Sequence, residues 1–593
     1  LGGSFVSGMI EMRFKVGVTE GAGWPTIDQW LIAKPGRQGV AMRVLTGEQM
    51  GRVDRLTVER CGIPYPILME TAGVRVVESL RERAESRTGG ARYAIVCGKG
   101  NNGGDGAVVA RHLWLRRSGL VALLLAGRIE EMRGDARTNM EIVRTLAATA
   151  PDLTFTENAQ PGQLAGLASA GLVVVDALFG TGLSRPVSGV AAEMIGVINR
   201  LREDGAKVVA IDLPSGVFSD QGELVEPHVR ADLTVTFTAP KLGNILAPAA
   251  AANGCLVVAP IGSPDWLIEE VVATPSATGE SGAGERGAVE LVEEARIAQW
   301  LANSRRAVTA HKGSVGDVLI FAGTRGKTGA AALAAGAVLR SGAGLVTVAT
   351  PISALPLLVA QADKEVMTIH LPETPQGGAS LEGRKALTDL VAGRDVLAIG
   401  PGISSVEEET RQLVRALVET RSGPLVIDAD GLNALAPWPV DLQGSEELPI
   451  VITPHPGEMA RLMGISIAAV QADRIGCART LAHRNGLIVV LKGARTVIAA
   501  PTGEVFLNPT GNEGMATAGA GDVLTGVISG FLAQQVTPAL EAVLAGVWLH
   551  GRAGDLAASR LGKRAMMASD IRDHLSGAIR GVGGLAENGE SGY

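Results

Sequence analysis

Two α/β domains, each built around a mainly parallel sheet, are the architecture that this 593-residue sequence predicts. The length exceeds the point, about 250–300 residues, at which single hydrophobic cores stop growing. Short apolar runs alternate with helical stretches along almost the whole chain, the pattern of strand–helix–strand units. Apolar residues make up 46% of the chain but aromatics only 3%, and there are 78 glycines, so the cores must be built from Ala, Val, Leu and Ile and the turns from Gly. That profile suits strands buried on both faces of a parallel sheet.

Residues 1–41 read as an extension of uncertain role. Their opening, LGGSFVSGMIEMRF, lacks the basic-then-apolar layout of a secretory signal. Helical patterning starts only at MRVLTGEQMGRVDRLTVE, which makes Met42 a candidate start. Residues 42–265 form the first predicted domain, with strands at YAIVC, VALLLAG, LVVVDA, KVVAID, LTVTFT and GCLVVAP. Residues 266–287 contain ATPSATGESGAGERG, which has no hydrophobic period and reads as a linker. Residues 288–580 form the second domain, with strands at DVLIFAG, GLVTVAT, DVLAIG, PLVIDAD, PIVITP and LIVVLKG, and 581–593 are a tail. No convincing internal repeat relates the halves, so two different folds are expected.

Charge and cysteine content narrow the function. The 54 basic and 61 acidic residues give a net charge of −7, which offers no general attraction to nucleic acid or to an anionic membrane. A small charged metabolite fits better. Cys61, Cys97, Cys255 and Cys477 show no metal-site or disulfide spacing, so a reducing, cytoplasmic setting is the simplest expectation. No apolar run is long enough to span a bilayer, since even AAALAAGAVLRSGAGLVTVATP is cut by Arg340 and glycines.

In the first half, the strand ending at Cys97 runs into GKGNNGGDGAVVARHL, a glycine-rich turn expected to open a helix at about Ala107 and to present N–H groups to an anion. Gly98, Gly100 and Gly103 also satisfy GxGxxG. The acidic residue that a dinucleotide dehydrogenase places after the next strand is absent, because LVALLLAG is followed by Arg128. Asn101, Asn102 and Asp105 add donors and hard oxygen acceptors that plain turn chemistry does not require. Asp176 closes LVVVD before GTGLSRP, and Asp212 closes KVVAID before PSG. Loops at the carboxyl ends of parallel strands converge on one pocket, although either aspartate alone would also serve as a helix cap.

NNGGDG, DALFGTGL and DLPSG, in that order over about residues 42–265, resemble the NAD(P)H-hydrate epimerase family, also called the YjeF N-terminal domain. The resemblance implies a Rossmann-like three-layer α/β/α domain. It also implies that Asn101, Asn102, Gly103, Gly104 and Asp105, together with Gly180, Thr181, Gly182, Leu183, Ser184, Arg185 and Pro186 and with Asp212, line the hydrate site. Asn102, Asp176 and Ser215 would ligate a potassium ion. Asp212 is the candidate acid–base group, because epimerisation by either hydroxyl loss or ring opening needs proton transfer.

In the second half, NPTGNEGMATAGAGDVLTGVISGFLAQ carries the strongest signal: Gly519 to Asp522 opens an apolar helix. Consecutive N–H groups there would stabilise charge on a transferring phosphoryl group, with Asp522 beside the attacking hydroxyl. The alternative is an aspartate that merely caps the helix. GAGD is similar to the anion-hole motif of the ribokinase-like superfamily. With HKGSVG at His311, AIGPG ending at Gly402, DADGLN at Asp428, TPHPGE at Thr453 and LKGART at Leu491, it resembles ADP- or ATP-dependent NAD(P)H-hydrate dehydratases over about residues 288–580. The resemblance implies that Ala330, Gly402, His455 and Asp522 contact the hydrate. It implies that Lys492, Gly493, Ala494, Arg495, Thr496 and Gly521 hold the adenine nucleotide. Taken singly, Lys492 also reads as a strand-end lysine and His455 as a satisfied loop histidine. The GKT at Gly326 to Thr328 is not a Walker loop, because Phe321 stands where the first glycine is required.

The expected chemistry is repair of hydrated NADH and NADPH: epimerisation of the R and S hydrates in the first half, and dehydration of the S hydrate in the second. The dehydration would use ADP and magnesium and release AMP and phosphate. A homo-oligomer is implied by resemblance alone. Two rivals are a vitamin-precursor kinase of the ribokinase-like type and a non-catalytic nucleotide-binding first half.

Overall fold

The computed structural model describes residues 31–33, 41–84, 91–274, 287–536 and 538–582. Both domains are α/β and their sheets differ, as expected. The first sheet has eight strands, all parallel, in the spatial order Leu31–Ala33, Cys255–Ala259, Leu233–Phe237, Lys207–Ile211, Leu172–Ala177, Arg92–Cys97, Leu120–Leu125 and Leu153–Thr156. Alternate residues of its strands feed opposite cores. Ile95 and Cys97 pack on one face with Val108 and Met140, while Ala94 and Val96 pack on the other with Ile195 and Ile198. This is a three-layer α/β/α sandwich, as strands buried on both faces require.

The second sheet has eleven strands. Seven are parallel: Met367–Leu371, Leu345–Pro351, Asp317–Phe321, Val396–Ile399, Leu425–Ile427, Ile450–Ile452 and Leu487–Leu491. An edge of short strands continues it, with Val497–Ala499 and Val505–Leu507 antiparallel to their predecessors, then Val289–Leu291 and Met42–Arg43. Val318 and Ile320 face the helices Thr328–Arg340, Ala520–Leu532 and Ala539–Leu561, whereas Leu319 and Phe321 face the opposite core.

Two domain boundaries differ from the sequence expectation. Residues 266–273 belong to the helix Asp265–Ala273 rather than to a linker, because Leu267, Ile268 and Val271 bury an apolar face. The remainder of the linker, 275–286, and the tail from 583 lie outside the described residues. Met42–Arg43, expected at the start of the first domain, pairs instead with the second sheet. The Arg43 guanidinium joins Glu269 at 2.8 Å and Glu290 at 3.1 Å. Glu290 also meets Arg296 at 2.6 Å. Met42, Val44, Leu256 and Val258 share one buried cluster with Leu291, so apolar packing and this ion network tie the domains together.

Candidate active sites

The first site forms where the chain order of its sheet reverses. Strand Arg92–Cys97 has Leu120–Leu125 on one side and Leu172–Ala177 on the other, so the loops leaving their carboxyl ends diverge and open a crevice. Helix Asn101–Leu115 starts six residues earlier than the glycine pattern suggests, with Gly100 as its cap. The reason is packing. A Cβ at Gly103 would lie 1.9 Å from the Gly98 carbonyl oxygen, and one at Gly98 would lie 2.0 Å from that of Leu178. NNGGDG is therefore the first turns of a helix pressed against the sheet, not a free loop. Asn101 is exposed at its tip, and Asn102, Gly103 and Gly104 are buried.

Phe179 links the three proposed cation ligands. Asn102 Nδ2 donates to its carbonyl at 2.9 Å, and its own N–H donates to Ser215 Oγ at 2.9 Å. Ser215 Oγ in turn donates to Asp176 Oδ1 at 2.6 Å, and the Ser215 N–H donates to Asp176 Oδ2 at 2.8 Å. Asp176 caps no helix. It is fully buried, and burial pushes its carboxyl up to about 6 against the opposing hydrogen bonds from Ser215.

Asp212 is not a helix cap either. It adopts φ 65°, a left-handed conformation uncommon for a non-glycine residue, and its N–H donates to Val235 at 2.8 Å. Its Oδ1 accepts from Lys241 Nζ at 2.6 Å and from Thr236 Oγ1 at 2.9 Å. Lys241 is 1% exposed, and its other two bonds go to Thr236 Oγ1 at 3.0 Å and the Phe237 carbonyl at 3.1 Å. Gly180 lies against both groups, since a Cβ there would approach Asn102 to 3.4 Å and Asp212 Oδ2 to 3.5 Å. Thr181 and Leu183 are half-buried, while Gly182, Ser184, Arg185 and Pro186 are exposed on the outer part of the same loop.

Two further carboxyls lie in the same field. Asp105 is held well above the usual range by burial and by the Asp212 and Asp54 charges, with Lys241 opposing. Asp54, on helix Gly47–Cys61, is pushed up to about 6 by burial, with Lys241 opposing. Lys241 and Asp54 went unnoticed in the sequence. The lysine in TAPKLG, just past the strand LTVTFT, was the only available signal, and Asp54 sits in an ordinary amphipathic helix.

The second site also lies at a reversal of strand order, where Asp317–Phe321 is flanked by Leu345–Pro351 and Val396–Ile399. Gly402 and Ala330 adjoin there. A Cβ at Gly402, whose φ is 65°, would approach the Lys327 carbonyl oxygen to 2.8 Å and Ala330 Cβ to 3.4 Å. Helix Ala520–Leu532 begins at Gly519, with φ 93°, and Asp522 falls in its first turn without capping it. His550 Nε2 meets the Ala520 carbonyl at 3.0 Å and burial drives the ring down to about 4, so it holds that turn as a neutral donor.

Lys492 reaches this helix end from the neighbouring strand. Its Nζ bonds Asp428 Oδ1 at 2.6 Å, and a Cβ at Gly521 would lie 3.3 Å from it. Asp428 is 1% exposed and accepts from Thr525 Oγ1 at 2.9 Å through its other oxygen. Burial and the Asp428 charge push Asp522 up to about 7, against the pull of Lys492. His455 caps the helix Pro456–Met463 through Nδ1, which accepts from Gly457 N–H at 2.9 Å; its Nε2 lies 3.4 Å from Glu458. The rest of the LKGART segment uses its polar groups locally. Arg495 donates to the Pro509 carbonyl, Thr496 Oγ1 to that of Gly493 at 3.1 Å, and Arg474 to that of Ala494 at 2.7 Å. Asp428 and Thr525 were not singled out as site residues. The first was legible in DADGLN, but the second is hidden in an apolar helix.

Residues 66–243 match the family of YjeF-related protein N-termini, and residues 318–576 match the NAD(P)H-hydrate dehydratase family. The chain is similar to a bifunctional NAD(P)H-hydrate repair enzyme of Moorella thermoacetica, 44% identical over 91% of this chain and 97% of the relative. A counterpart in Thermofilum pendens is 38% identical over 91% and 97%. Among solved structures, an ADP/ATP-dependent NAD(P)H-hydrate dehydratase from Bacillus subtilis, co-crystallised with ATP and magnesium, is 32% identical. It covers 49% of this chain and 97% of its own, with a TM-score of 0.43. No helix among the described residues is long and apolar enough to cross a membrane. The chain belongs to the family of bifunctional NAD(P)H-hydrate repair enzymes, with an epimerase domain followed by a dehydratase domain.

Proposed function

We propose that the first domain interconverts the R and S hydrates through Asp212, and that the second dehydrates the S hydrate with ADP or ATP through Asp522. The observation that carries the second assignment is the position of Asp522 in the first turn of a glycine-started helix, beside the Lys492–Asp428 pair. Asp522 takes the proton of the hydrate's ring hydroxyl, whose oxygen attacks the terminal phosphoryl group. The N–H groups at Gly519 to Asp522 face the charge that develops there. Phosphorylation makes the oxygen a good leaving group. The ring nitrogen lone pair expels phosphate, and proton loss restores the dihydropyridine, with AMP as the second product when ADP is the donor. Ala330, Gly402 and His455 are assigned to the hydrate, and Lys492 to Thr496 with Gly521 to the nucleotide.

Magnesium fits as an ion that arrives on the nucleotide. Among the described residues no three His, Cys, Asp or Glu side chains assemble into a metal site, and magnesium characteristically binds phosphates with one or two carboxylates and water. Bound there, it would neutralise charge on the transferring group. Potassium fits the first site for a different reason. Asp176 is a fully buried carboxyl whose described partners are neutral donors, and Asn102 and Ser215 converge on it through Phe179 with oxygen atoms suited to a hard cation. A homo-oligomer and a cytoplasmic location complete the proposal.

A kinase fused to a binding module is not favoured by relatives that share both halves over nearly their whole length. Incubating the separated S hydrate with magnesium and either nucleotide tests the reading. Reduced nicotinamide, inorganic phosphate and AMP or ADP are expected, and a stable phosphorylated hydrate would overturn it.

A further inference from the structure

Asp54 is a half-buried carboxyl in the field of Lys241 and Asp212. Its helix, Gly47–Cys61, is fixed beside Lys241: Thr46 and Gln49 form a capping box at its start, and Leu45 donates to the Pro240 carbonyl at 2.9 Å and accepts from the Leu242 N–H at 3.2 Å. Asp54 Oδ1 is buried and has no hydrogen-bond partner among the described residues. Lys241 has no donor left for it, because all three of its N–H groups go to Asp212, Thr236 and Phe237. A buried carboxylate oxygen without a partner is costly, and a bound ligand would offset that cost. Such an arrangement suits a group that acts on substrate.

We propose that Asp54 is a second acid–base group of the epimerase site, working on the hydrate oxygen from the face opposite to Asp212. The proposal rests on the assignment of Asp212 as an acid–base residue. By the hydroxyl-loss route, inverting the carbon takes the hydroxyl from one face and returns it to the other. Asp54 in its acid form gives its proton to the hydroxyl oxygen. The C–O bond breaks with its electron pair on oxygen, water departs, and the ring nitrogen lone pair forms a C=N bond. Asp212, held by Lys241, then takes a proton from water as that oxygen bonds to the same carbon on the other face, and the C=N pair returns to nitrogen. The reverse direction exchanges the two roles, and solvent resets the protons between turnovers. Burial brings the Asp54 carboxyl up to about 6, near a working pH where it exchanges protons readily, whereas burial and the Asp212 charge hold Asp105 well above the usual range.

The full-length chain is assayed with each separated epimer in heavy-oxygen water, following inversion and oxygen exchange above the uncatalysed rates. Asp54→Asn should lower inversion about 100-fold, the ordinary contribution of a general acid. It should still exchange oxygen into one epimer, and Asp212→Asn should exchange it only into the other. Dehydratase turnover of the S hydrate reports that each variant chain is intact. Asp54→Glu, which returns a carboxyl, should recover at least about a tenth of the exchange lost in Asp54→Asn. Wild-type inversion in Asp54→Asn overturns the proposal. So does loss of exchange into both epimers with no recovery in Asp54→Glu. Undiminished inversion in Asp212→Asn would instead remove the underlying assignment, and the Asp54→Asn result is read separately from it.

Discussion

Replacing Asp522 by Asn should abolish dehydration and, at neutral to alkaline pH, make the second domain more stable. The carboxyl has an ordinary value near 4 and is pushed up to about 7 in the folded protein, first by burial and then by Asp428. The folded state therefore holds the proton more tightly than the unfolded state. Stability from this group is fully present below pH 4 and is lost as the pH rises through 7. At about 1.4 kcal/mol for each tenfold change in proton affinity, the raised value of Asp522 lowers the stability of the folded state by about 1.5 kcal/mol at pH 5, where only the unfolded chain ionises, and by up to about 4 kcal/mol at pH 8. The Asn variant escapes that cost. At roughly 2 °C per kcal/mol for a domain of this size, its melting transition should rise by up to about 8 °C at pH 8 and by only a few degrees at pH 5. Thermal melts of the ligand-free protein at the two pH values make the comparison, while wild-type dehydration should rise with pH through about 7. A melting difference that does not change with pH would refute the argument that Asp522 is an ionisable group kept against its own desolvation.

Three other outcomes follow from the packing. Gly103→Ala puts a Cβ 1.9 Å from the Gly98 carbonyl oxygen, so the first domain should lose more than about 3 kcal/mol while S-hydrate dehydration persists; the melt and the two separate assays check this. Lys492→Met leaves Asp428, 1% exposed, with Thr525 as its remaining partner. It should cost about 3–5 kcal/mol and move the alkaline rise of dehydration to higher pH, both readable from melts and a pH–rate profile. Arg43→Ala removes the guanidinium that joins Glu269 to Glu290. A loss of about 1.5–3 kcal/mol is expected, with calorimetry resolving the domains into two transitions.

Much of this architecture was legible because its central strands are uninterrupted runs of Val, Ile, Leu and Ala that end in Asp or Gly. LVVVDA, KVVAID and LIVVLKG each lie on the strand expected of them. The strands that escaped notice are the edges. Leu153–Thr156 and Met367–Leu371 are partly exposed and mix polar with apolar residues, and the strip from Val497 to Met42 is made of two- and three-residue strands. Tertiary pairing, not local pattern, makes those strands. The glycines of NNGGDG misled for a related reason: Gly looks like a turn residue when its real service is close backbone contact inside a helix. The sites divide in the same way. Asp176, Asp212 and Asp522 stand at strand or helix ends, where chemistry is expected. Asp54, Lys241 and Thr525 come from a helix face, a loop and a buried helix interior, and only the fold brings them to the carboxyls they serve.

One chain with these two sites should return both epimers of a hydrated nicotinamide nucleotide to the reduced cofactor. A mixed-epimer NADPH hydrate supplied with ADP and magnesium, followed by the absorbance of the reduced nicotinamide, tests it directly. Complete recovery is expected with the intact chain, and with Asp212→Asn a halt once the S epimer is exhausted, apart from slow uncatalysed conversion. A halt in the intact chain, or complete and equally fast recovery in Asp212→Asn, would contradict it.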